Sequence, residues 1–179
     1  TRKPMAQLIQ PLEVIQGGTA RPSPADIRLD KTLVSPHIQV AEFRWVKDAI
    51  GTSFYNALVA EKGDSSAFTT SAYQTLWDTN LKSLCANATL YEAAPYIVMQ
   101  LGTNGLYLID NEYGKNAGME GVSFYQDTLR QRIMTQQQMT KDWLCTSASA
   151  LPDFVPSAVG CPCECSTDDE FYNDFGLVL

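Results

Sequence analysis

From Tyr73 onward, apolar side chains return at three- and four-residue steps: Tyr73, Leu76, Trp77, Leu81, Leu84, Ala88 and Tyr91. That period belongs to one face of an α-helix and to no strand, and about five turns of it require a partner layer to bury the face. The stretch therefore predicts the central helix of a bundle, starting from an N-cap at Thr70 or Ser71. Pro95 has no amide hydrogen to give the turn before it, so a kink is expected between Tyr91 and Pro95, with a break by Gly102.

The other helices are read relative to this one. Ser35 with Pro36 makes a capped start for a helix whose stripe runs Ile38, Ala41, Trp45 and Ala49, with Val46 and Ile50 beside it, and which stops at Gly51. A short helix carrying Phe54, Tyr55, Leu58 and Val59 follows, so Gly51 marks a corner. Between Gly102 and Gly118 the pattern changes to Leu106-Tyr107-Leu108-Ile109 and a polar run, which suits a β-hairpin or an ordered loop near 103–118. A last helix over about 120–144 starts with the stripe Val122, Tyr125, Leu129 and Ile133. It then offers Gln136, Gln137 and Thr140 at the equivalent steps, so its second half is expected to leave the core and to serve as a contact surface between subunits. Trp143 and Leu144 re-anchor its end.

The expected organisation is a mainly α protein. A small helical bundle of four to five helices (35–146) lies between an extended N-terminal arm (1–34), rich in Pro and Gly, and an extended C-terminal tail (147–179). Length and a hydrophobic content of 45% allow one core. No apolar run approaches the ~20 residues of a membrane span, and the start lacks a signal-peptide pattern, so a soluble protein made in the cytoplasm is expected.

Charge is unevenly distributed. Residues 1–141 hold all 13 Lys and Arg and 13 of the 20 acidic residues, while residues 142–179 hold seven acidic residues and no Lys or Arg, which is the whole net charge of −7. Scattered cations argue against nucleic acid as the main partner. Because the acidic tail ends in Phe171, Tyr172, Phe175, Leu177 and Leu179, it reads as a segment that docks on a partner, with those five side chains as anchors.

Catalytic patterns are missing from the sequence, and no cofactor motif is found. His37 is the only histidine, and its expected place in the first turn of a helix suits a capping or surface role. There is no phosphate-cradling glycine loop. Five cysteines are present. Cys85 on an apolar helix face reads as a buried free thiol. Cys161, Cys163 and Cys165 are candidate metal ligands, with Cys145 as a fourth, but the Cys-x-Cys spacing is not that of structural zinc and favours free thiols in an extended segment.

Four runs resemble a known family. Ile38-Gln39-Val40-Ala41, Ala49-Ile50-Gly51-Thr52-Ser53-Phe54-Tyr55-Asn56-Ala57-Leu58, Leu90-Tyr91-Glu92-Ala93-Ala94-Pro95-Tyr96 and Thr103-Asn104-Gly105-Leu106 are similar, in this order, to the head-to-tail connector (neck adaptor) proteins of tailed bacteriophages. The versions from phages of Bacteroidetes hosts, including crAss-like phages, look closest. The resemblance covers about residues 28–144 and rests on structural motifs. It implies a non-enzymatic virion protein in the phage neck, made in the host bacterial cytoplasm. Such a subunit forms a homo-oligomeric ring of about twelve copies, joins the portal protein to the adjacent neck or tail protein, and lets DNA pass without specific binding. The other classes in view are a tail terminator or stopper, and a small metal-binding regulatory protein using Cys161, Cys163 and Cys165.

Overall fold

The computed structural model describes residues 7–15, 29–63, 65, 67–102, 105–108 and 118–161. It is a mainly α protein, a small helical bundle with one β-hairpin. Helix α1 (Pro11–Ile15) is a single short turn, and α2 (Lys31–Ala41) passes through a π turn (Glu42–Val46) directly into α3 (Lys47–Ile50). Gly51 then turns the chain into α4 (Thr52–Lys62). Helix α5 (Ser71–Leu76) passes through a second π turn (Trp77–Leu81) into α6 (Lys82–Val98). Strands β1 (Met99–Gly102) and β2 (Gly105–Leu108) follow, then α7 (Gly118–Thr146) and two 3-10 turns, Ala148–Ala150 and Pro156–Val159.

Helix α6 is the centre, packed against both α2 and α7. Its expected stripe is buried: Leu76, Trp77, Leu81, Leu84 and Ala88 face the core, with Tyr91 partly covered. Cys85 lies on the same face as a buried free thiol.

Gly51 adopts φ 82°, a region that side-chain-bearing residues rarely enter, and a Cβ there would meet Ala158 and Val159. The corner read at Gly51 is thus a backbone requirement, with Ala158 and Val159 in ordinary contact beside it.

Four expectations are corrected. The helix expected to begin at Ser35 and Pro36 begins at Lys31, capped by Asp30, whose Oδ1 accepts the Thr32 N–H at 2.9 Å. Pro36 therefore lies inside the helix, on its exposed side. The N-terminal arm is not free of the body: Leu8, Ile9, Val14 and Ile15 are core residues. The C-terminal tail does not start at 147, because Leu151, Phe154 and Cys161 are buried on the bundle. There Phe154 meets Phe54 edge-on at 5.3 Å, and the Tyr73 hydroxyl donates to Asp153 at 2.7 Å. Finally, the hairpin expected near 103–118 begins at Met99. Its antiparallel register pairs Met99 with Leu108 and Gly102 with Gly105, since Leu106-Tyr107-Leu108 needs a partner strand and the end of the α6 run supplies it.

Candidate functional site

The densest cluster of buried polar groups lies where the two π turns face α4. Glu42 opens the first π turn and Trp77 the second, so both widened turns direct a side chain to the same place. Glu42 is 1% exposed and Lys62, at the end of α4, is 2% exposed. Between them lies the backbone of the N-terminal segment. The Glu42 Oε1 accepts the N–H groups of Leu8 and Ile9 at 2.8 and 2.9 Å, and its Oε2 accepts the Tyr55 hydroxyl at 2.5 Å. Lys62 Nζ donates to the Leu8 carbonyl and to Glu13 at 3.4 Å, and sits 3.7 Å from the centre of the Trp77 ring.

Both donor and acceptor of the Leu8 residue are held by charged side chains from other helices. Burial pushes the Glu42 carboxyl above its ordinary range, against the bonds from Tyr55, Ile9 and Leu8 and the charge of Lys62, all of which lower it. Burial likewise pushes the Lys62 ammonium below its ordinary range, while Glu13 acts to raise it. The Tyr55 hydroxyl is raised by burial and by Glu42, and the Cys85 thiol well above its usual value by burial. A carboxylate and an ammonium with this many partners hold a segment in place. The cluster is a clasp that fastens residues 8–15 to the body.

Sequence reading passed over this cluster. The signal was present, since Glu42 falls four residues after Ile38 and four before Val46, on the apolar face, and Lys62 falls four after Leu58. A charge on an apolar stripe marks a buried partner.

The second polar feature is the seam between α6 and α7. The last helix does not leave the core halfway: Thr140 is buried, Gln136 Nε2 donates to Ser83 Oγ at 2.6 Å, and Gln137 Nε2 donates to the Trp45 carbonyl at 2.7 Å. Buried Asn87 donates to Gln136 Oε1 at 3.1 Å. In the first half, the seam position is Gln126 rather than the expected Tyr125, which is exposed. Gln126 Nε2 donates to the Tyr91 carbonyl at 3.3 Å, the acceptor that Pro95, four residues on, cannot serve.

The remaining expected sites are placed as follows. Cys161 is bonded to Cys145 in a disulfide, so neither is a free thiol nor a thiolate ligand. That overturns the reading of Cys161 as a free or metal-binding thiol: folding of residues 147–161 onto the body brings it to the end of α7, and among the described residues no group of side chains is arranged to hold a metal. Cys163, Cys165, Phe171, Tyr172, Phe175, Leu177 and Leu179 lie outside the described residues. His37 is in the second turn of α2, its ring stacked on Tyr96 at 4.6 Å, and burial lowers its pKa, which Glu92 acts to raise.

Residues 46–164, well over half of the chain, match the model of DUF6712, a family of unknown function. The chain belongs to this family. The matched region takes in α3 through the Cys145–Cys161 bond, whereas Glu42 and the segment it clasps precede it. No curated protein and no solved structure matches the chain. Among the described residues of this DUF6712 member, no helix is long and apolar enough to cross a membrane.

Proposed function

We propose that this chain is a structural virion protein, one subunit of a head-to-tail connector ring that joins the portal of a tailed phage to the next neck or tail component. The observation that carries the reading is the place of the four resembling runs on the fold: the helix before the corner, the Gly51 corner itself, the central helix through Pro95, and the hairpin that follows it. They make one continuous body, as a ring subunit needs. The outer face of α7 supports it further, because Phe124, Met134 and Met139 are exposed there and give a neighbouring copy apolar contact. A disulfide persists outside a reducing cytoplasm, which suits a protein that leaves the cell in a particle.

On this reading the subunit has no catalytic role, and DNA passes the ring without specific contacts, in keeping with a net charge of −7. A tail terminator or stopper fits less well, since those proteins are rich in β-structure and this one is mainly helical. A thiolate-based metal regulator loses Cys161 to its disulfide. The test is to mix purified protein with tailless particles that display the portal. Density for a ring with rotational symmetry under the portal, and tailless particles when the gene is deleted, are the expected results. Failure to bind portal, together with normally tailed particles in the deletion, overturns the proposal.

A further inference from the structure

An open groove of about 590 Å³ runs between α2 and α4, lined by Val40, Phe43, Lys47, Tyr55, Asn56 and Val59. Two of its walls are large apolar side chains left in water, with Phe43 72% and Val40 51% exposed. Lys47 Nζ lies 5.1 Å from the centre of the Phe43 ring and 4.7 Å from that of Tyr55. Among the described residues it has no ion-pair partner, and no carboxylate lines the groove. An apolar floor with a single unpaired cation calls for an occupant that is both apolar and acidic.

We propose that the occupant is the segment Phe171–Leu179 of this chain. Its five anchors, Phe171, Tyr172, Phe175, Leu177 and Leu179, follow Asp168-Asp169-Glu170 and enclose Asp174, so apolar groups and negative charge come together in one stretch. The described chain also ends in the right place. Cys161 is fixed by its bond to Cys145, and Ala158 and Val159 lie against Gly51. Gly51 is one helical turn from the groove on both sides: its N–H donates to the Lys47 carbonyl at 2.9 Å, and its carbonyl accepts the Tyr55 N–H at 3.0 Å. One turn is about 5.4 Å. The ten residues from Cys161 to Phe171 span up to about 33 Å, so the anchors reach this groove or that of an adjacent copy with chain to spare. The seat of the segment is therefore this groove, on its own copy or on a neighbouring one, which goes beyond the connector reading and does not depend on it.

The experiment places a photo-crosslinking benzophenone side chain at Phe175 of the full chain, and in a second preparation at Leu177. After irradiation the crosslinked peptides are mapped by mass spectrometry. Crosslinks onto Gln39–Val59 are expected in at least one preparation, and Phe43→Asp should lower their yield about tenfold, the change expected when one apolar anchor contact is lost. Mixing isotope-labelled and unlabelled copies then assigns the groove to the same chain or to its neighbour, either of which supports the proposal. Crosslinks in both preparations that map elsewhere, or a yield unchanged by Phe43→Asp, overturn it. Neither portal nor particle is involved, so the result is separate from the test of the connector role.

Discussion

Glu42 does the most at the scale of single residues. Removing it in Glu42→Ala leaves two buried backbone N–H groups and the Tyr55 hydroxyl without their acceptor. The expected loss is about 3 kcal/mol or more in urea unfolding. Glu42→Gln keeps an acceptor for Leu8 and Ile9 and should cost less. It also separates the proton from the shape. Because burial raises the Glu42 pKa, the folded state holds this proton better than the unfolded one, so its contribution is complete below the ordinary Glu value of about 4.3 and is lost as pH rises through the folded value. Unfolding free energies measured upward from about pH 4 should therefore decline less in Glu42→Gln than in the parent chain. Gly51 shows a different constraint. Any side chain there is strained by φ 82°, so Gly51→Ala is expected to lower stability by about 1–2 kcal/mol in the same measurement.

Among the elements, α7 departs most from a sequence reading and for the clearest reason. Tyr125 is apolar and Gln126 is polar, so periodicity favours Tyr125 for the core face. Yet Pro95 leaves the Tyr91 carbonyl without its helical donor, and a Gln reaching from the next helix satisfies it. The two positions should be coupled. Gln126→Ala is expected to cost about 1 kcal/mol in the parent chain and close to nothing in a Pro95→Ala background, where residue 95 supplies its own N–H. A double-mutant cycle by thermal or urea unfolding reads the difference, and equal costs in both backgrounds would remove the assignment. Gln136 and Gln137 also hold α7 to the body, by bonds to Ser83 and the Trp45 carbonyl.

At the scale of the whole molecule, segments distant in sequence close the bundle: Leu8–Ile15 under Glu42 and Lys62, and residues 147–161 under the Cys145–Cys161 bond. The disulfide joins positions 16 residues apart, a loop whose closure stabilises by about 3 kcal/mol. Reduction, or Cys161→Ser, should lower the melting temperature accordingly and expose Phe154 and Leu151, which increased dye binding would report. The helices around the core, the stripe through Leu76, Leu84, Leu129 and Ile133, the Gly51 corner and the buried Cys85 were legible in the sequence, because helical period and glycine's freedom act within a few residues. The clasp, the polar seam of α7 and the disulfide were not. Each depends on which surfaces meet: Glu42 lies 34 residues from Leu8, Lys62 54 from the same residue, and Gln137 92 from Trp45. A polar side chain on an apolar stripe signals that a partner exists but carries no local mark of which one it is. The sequence alone determined the main helices and most of their buried stripes; the tertiary structure decided where the polar groups on those stripes find their bonds, since burial makes an unpaired charge or amide too costly to leave.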